Sequence, residues 1–98
     1  MGCRHCAGSN IYMLAHGPSD LVALLGIVRS AVAEGAVACV ANAEKPALID
    51  QPAFDELDLS QPWPDVLQYW FECPACAKRF ELSIETYHGS VGVWRAVR

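Results

Sequence analysis

Hydrophobic and polar positions alternate most cleanly in the last third of the chain. Over residues 65–73, Leu67, Tyr69 and Phe71 fall on one side and Gln68, Trp70 and Glu72 on the other. Over residues 79–87, Phe80, Leu82 and Ile84 alternate with Arg79, Glu81, Ser83 and Glu85. A period of two with one apolar side predicts half-buried antiparallel strands. Strands are expected at 66–73, 79–87 and 91–97. Cys73-Pro74-Ala75-Cys76 turns between the first two, and His88-Gly89-Ser90 turns into the third. Trp70 lies opposite the Leu67, Tyr69 and Phe71 side: either the helix covers Trp70's side, or Trp70 marks a contact surface. Trp94 is expected in the core.

Towards the N-terminus the period changes. A short apolar run with Ile11 and Tyr12 predicts a strand at 10–15, ended by a turn at His16-Gly17-Pro18. Leu21, Leu24, Leu25, Val28, Ala31 and Val32 then recur at helical spacing, with Val22, Ala23 and Ile27 widening the stripe. Ser19 suits an N-cap, Asp20 favours the helix dipole and Gly35 suits the stop after a helix at 21–34. Residues 36–41 fit either a short strand or a continuation of the helix. Residues 42–64 have no clean period. They carry Pro46, Pro52, Pro62 and Pro64 and the acidic residues Asp55, Glu56 and Asp58, read as a solvated face. One helical turn is expected there, near 53–57. The fold class is α+β: a small antiparallel sheet with one main helix packed on it, in a single domain over residues 1–98.

Composition narrows the function. A 98-residue chain with 53% hydrophobic and 18% charged residues is not a disordered tail. A net charge of −4 disfavours a phosphate backbone as partner. Residues 1–6 hold no apolar stretch of the signal-peptide kind, and the longest apolar run, 21–28, falls short of the ~20 residues that span a bilayer. A cytoplasmic protein with no membrane partner is expected. Cys6 stands where a myristoylation motif wants Ser or Thr.

Cysteine spacing changes the picture most. Four of the five cysteines form two identical pairs, Cys3-Arg4-His5-Cys6 and Cys73-Pro74-Ala75-Cys76. In a reducing compartment such pairs are metal ligands rather than disulfides. Two thiolates from each tight turn complete a tetrahedral Cys₄ shell from Cys3, Cys6, Cys73 and Cys76, the usual structural zinc arrangement. Iron suits the same ligands and remains the alternative. A bare dithiol enzyme needs one pair at a helix N-terminus, and neither pair precedes a convincing helix. Sixty-six residues lie between Cys6 and Cys73, and closing a longer loop costs only logarithmically more. Cys39, alone in an apolar run, reads as a small buried hydrophobe. His5 reads as a solvent-facing residue within its turn, and His16 and His88 read as turn residues.

The stretch Cys73-Pro74-Ala75-Cys76-Ala77-Lys78-Arg79-Phe80 resembles the knuckle of zinc-ribbon and rubredoxin-like proteins, and Cys3-Arg4-His5-Cys6-Ala7-Gly8 resembles the partner knuckle. The resemblance covers about a third of the chain. It implies knuckles at 3–6 and 73–76 around a helical and irregular insertion at 17–64. A small zinc-binding protein follows as the expectation, with a structural site and a protein partner engaged through the acidic segment and exposed aromatics. The alternatives are a nucleic-acid-binding zinc ribbon, using Lys45, Lys78, Arg79, Arg95 and Arg98, or a rubredoxin-like redox carrier. Four cysteines close the shell, and no catalytic or phosphate-binding motif is present, so no enzyme is expected.

Overall fold

The computed structural model describes Gly8 and residues 11–40, 53–57, 66–86 and 91–97. One α-helix packs on a five-stranded antiparallel sheet, which is the α+β arrangement. The strands are β1 (Met13–His16), β2 (Ala38–Val40), β3 (Val66–Glu72), β4 (Arg79–Glu85) and β5 (Val91–Ala96), in the order β1-β5-β4-β3-β2. The helix α1 (Pro18–Ala33) links the two edge strands, and a 3₁₀ turn forms at Phe54–Glu56. No helix is long and apolar enough to cross a membrane among the described residues.

Register explains the layering. Phe71 pairs with Phe80, Tyr69 with Leu82 and Leu67 with Ile84. Phe80, Leu82 and Ile84 pair in turn with Ala96, Trp94 and Gly92. Directly paired residues share a face, so the apolar halves of the three alternating strands make one continuous surface. Leu21, Leu24, Leu25 and Val28 of α1 are buried against it. Full burial of each such side chain contributes about 1.5–3 kcal/mol. The rings of Phe71 and Phe80 lie 5.2 Å from that of Trp94, the latter pair stacked within 11°. An added Cβ on Gly92 would sit 2.6 Å from Leu21 Cδ1, so the close approach of α1 to β5 depends on that glycine.

The helix begins earlier than its cap pattern suggested. Gly17, at φ 89°, is the N-cap and Pro18 the first helical residue, so Ser19 is not the cap. Proline suits that position because its missing N–H has no helical partner there. Asp20 instead accepts a hydrogen bond from the His16 backbone N–H at 3.4 Å. His16 is the last residue of β1, not part of the turn. The other end is as expected: Gly35 has φ 80°, its N–H donates to Val32 O, and the Ala36 N–H donates to Ala31 O. This pair of bonds is the Schellman motif. Val22, Ala23 and Ile27 do not widen the buried stripe; all three are exposed.

Two further expectations change, the bounds of the N-terminal strand and the burial of Cys39. The N-terminal strand is Met13–His16 rather than 10–15, and Ile11 and Tyr12 are exposed before it. Of the two readings for 36–41, the strand is the one adopted. Its Cys39 is exposed on β2, which lies at the edge of the sheet. The turn near 53–57 is present, and Phe54 and Leu57 are buried in the core. Arg29 of α1 holds it, donating hydrogen bonds to Phe54 O and Leu57 O with its guanidinium 5.8 Å from the Phe54 ring centroid. The turn at 88–90, Trp63 and Asp58 lie outside the described residues.

Candidate metal centre

The Cys73–Cys76 pair sits in the loop joining β3 and β4. The Cys73 N–H donates to Lys78 O at 2.8 Å, closing the hairpin, and the Ala77 N–H donates to Cys73 O at 2.8 Å. Ala77 has φ 64°, in the left-handed region, which costs an ordinary residue about 1–2 kcal/mol. The backbone thus folds tightly around the two cysteines. Cys73 is fully buried, on the helix-covered side, and Cys76 is exposed.

Cys3 and Cys6 lie outside the described residues, and among those described no three of His, Cys, Asp and Glu gather closely enough to hold a metal. The sheet nevertheless fixes where the chain must come from. Met13 pairs with Trp94, Trp94 with Leu82 and Leu82 with Tyr69. Residues 11 and 12, just before Met13, therefore adjoin the sheet end where β3 runs into Cys73. Strands are about 4.8 Å apart, so the β3–β4 loop lies only some 10–14 Å across the sheet from β1. Cys6 stands seven residues before Met13, and a chain that long reaches roughly 23–25 Å when extended.

Gly8 supplies a nearer marker. It lines an open groove of about 720 Å³ together with Met13, Trp94, Ala31, Glu34 and Ala36. Glu34 and Ala36 close the C-terminal end of α1, and the following strand pairs Ala38 with Glu72, next to Cys73. Gly8, two residues after Cys6, therefore lines a groove that runs along α1 from Ala23 to Glu34 beside Met13 and Trp94.

The opposite sheet face is polar at its centre. Glu81 is only 6% exposed although its side chain points away from the helix. It accepts hydrogen bonds from Gln68 Nε2 at 2.6 Å and from Arg95 at 2.7 Å. Arg79 pairs with Glu72 at 3.4 Å. Two of the basic side chains near the sheet are thus matched by carboxylates. Trp70 is half-buried on this face, directly opposite Glu81.

A third thiol lies away from the turn. Cys39 lines a shallow pocket with Tyr69, Phe54, Val32 and Ala53. Burial pushes the Tyr69 phenol up to about 12, and a negative charge on Cys39 adds to the shift. Sequence pattern missed this neighbourhood, because it depends on pairing Cys39 with Phe71 across the edge of the sheet. Compared with known protein families, curated proteins and solved structures, the chain matches none.

Proposed function

We propose that this chain is a small zinc-binding protein whose structural site is formed by Cys3, Cys6, Cys73 and Cys76. The observation that carries the reading is topological. The register brings residues 11 and 12, just before Met13, to the sheet end that holds the tight Cys73–Cys76 turn. The sixty-six intervening residues are then no obstacle, because β1, α1, β2 and β3 lie among them. Four thiolates fill a tetrahedral zinc shell and leave no position for a substrate. The same donors would hold iron, which makes iron the alternative metal.

The protein's role is then that of an interaction module with a protein partner. Exposed Glu56 beside the anchored Phe54 and Leu57, and half-buried Trp70 on the sheet face away from α1, supply the surface. Nucleic acid gains no support from the sheet, where Arg79 and Arg95 are paired with Glu72 and Glu81.

Elemental analysis of the purified chain tests the site. One zinc per chain is expected, lost together with protection of the four thiols when a strong chelator is added. Cys73→Ser removes a ligand and opens the cross-link. Closure of a loop this long is worth about 4 kcal/mol in the chain-entropy account, so the variant is expected to melt several degrees lower. A metal-free protein with four reactive thiols and an unchanged melting curve contradicts the reading.

A further inference from the structure

We propose that the Cys73–Cys76 turn is a reversible dithiol–disulfide couple, in which exposed Cys76 takes up a small-molecule disulfide first and buried Cys73 then closes the ring. The inference goes beyond the metal site and needs neither Cys3 nor Cys6. Both thiols lie in the loop between β3 and β4. The Ala77 N–H reaches back to Cys73 O at 2.8 Å, so residues 73–77 form one helix-like turn. Residues three apart in such a turn have Cα atoms about 5 Å apart by helical geometry. A disulfide requires roughly 4.4–6.8 Å. The bond from the Cys73 N–H to Lys78 O closes the hairpin around the turn. Joining the two sulfurs therefore leaves the pairing of β3 with β4 in place.

Burial sets the order of the two steps. Cys73 is fully buried, whereas Cys76 is exposed together with Pro74, Ala75 and Ala77. An incoming disulfide, such as that of glutathione, meets Cys76 first, and access is one of the factors that set exchange rates. In the first step the Cys76 sulfur bonds to one glutathione sulfur, and the other half leaves as glutathione with the Cys76 proton. In the second, the Cys73 sulfur attacks the Cys76 sulfur and expels a second glutathione, which carries the Cys73 proton. Two thiols are oxidised to one disulfide, and one glutathione disulfide is reduced to two glutathiones. The reverse path begins at the same exposed sulfur, so excess thiol restores the pair.

Oxidation and metal ligation exclude one another, because a cysteine binds metal as its thiolate. Zinc at these sulfurs holds the couple reduced, and its removal opens the pair to exchange. Cys39 supplies the internal control. It is exposed on β2, and its neighbours in sequence include no second cysteine. The same reagent is expected to stop there at the mixed disulfide.

Peptide mapping of the full chain tests the couple. The protein is stripped of metal with a chelator, held below its melting transition, treated with glutathione disulfide, blocked with an alkylating reagent and cut after glutamate. Glutamates 34, 44, 72 and 81 place Cys39 in residues 35–44 and the pair in residues 73–81, apart from Cys3 and Cys6. Mass spectrometry is expected to show the 73–81 peptide lighter by two hydrogens, restored by excess glutathione, and the 35–44 peptide carrying one glutathione. At short times the mixed disulfide is expected on Cys76. Cys73→Ser is expected to keep glutathione at Cys76, and Cys76→Ser to react at Cys73 at least about tenfold more slowly. A pair that stays as two thiols, or takes up two glutathiones, overturns the couple. So does a disulfide joining 73–81 to residues 1–34 or 35–44. Equal early labelling of Cys73 and Cys76 in the wild type overturns the order. Zinc binding is measured in parallel. A stripped pair that does not oxidise, in a chain that binds zinc, overturns the couple and leaves the metal site standing. Oxidation within 73–81, in a chain that binds no zinc, supports the couple and overturns the metal site.

Discussion

The centre and the edges of this sheet are built from different physics. β3, β4 and β5 alternate strictly, pair over most of their length and present Leu67, Tyr69, Phe71, Phe80, Leu82, Ile84 and Trp94 to one helix face. β1 and β2 have four and three residues and bury little of their own. The centre is held by apolar area. The edges are held by what lies next to them in the chain: the capped ends of α1 on one side of each, and, in our account, the metal before β1. An uncovered strand edge is a ready template for unwanted pairing, so tying β1 down also protects the β5 edge.

Phe71→Ala strikes the centre and carries the largest expected effect. Phe71 is fully buried between Phe54 and Trp94, with ring centroids 5.1 and 5.2 Å away. Its loss is expected to cost about 3–5 kcal/mol in denaturant unfolding. A cost near that of a surface change would mean that the aromatic layer does not carry the fold. Gly92→Val tests the contact between helix and centre. The added side chain meets Leu21, which is fully buried and has little room to move. Destabilisation of about 1–3 kcal/mol is expected.

Much of the centre was legible in the sequence because alternation reports a face directly. It does not report depth. Glu81 was placed on the correct face but is nearly buried, because Gln68 and Arg95 close around its carboxylate. The edges were less legible. Ile11 and Tyr12 have strand-forming side chains yet stand exposed ahead of Met13–His16. Cys39 sits in an apolar run but at the sheet edge, so its neighbours in sequence could not predict its exposure. Ser19 is a good capping residue displaced by Gly17 and Pro18, whose backbone preferences begin the helix sooner. Arg29 binds carbonyls 25 and 28 residues away, beyond the reach of any local pattern. The candidate site was legible as a ligand set, whereas its closure became intelligible only through the register of β1, β5, β4 and β3.

Tyr69 adds a pH handle on the centre. Its phenol is raised to about 12, first by burial and then by charge on Cys39, against an ordinary value of 10.0. The folded state therefore keeps the proton that the unfolded chain gives up above pH 10. Stability from this group is complete below pH 10 and is lost as pH rises towards 12. Unfolding of the wild type followed across that range is expected to weaken more steeply than that of Tyr69→Phe, and coinciding curves would remove Tyr69 as the cause. Leu14→Lys is expected to have the smallest effect. Leu14 is half exposed on β1, and a change within about 0.5 kcal/mol in zinc-loaded protein fits an edge held by its attachments. A loss of several kcal/mol would show that β1 is itself part of the core.

X-ray absorption at the metal edge of the loaded protein addresses the central claim most directly, because it counts the donors. Our account predicts one zinc surrounded by four sulfurs at about 2.3 Å, with a sulfur lost in Cys6→Ser and in Cys76→Ser alike. A shell of mixed nitrogen, oxygen and sulfur in the wild type, or one unchanged by either substitution, would contradict the joining of the two cysteine pairs around a single metal.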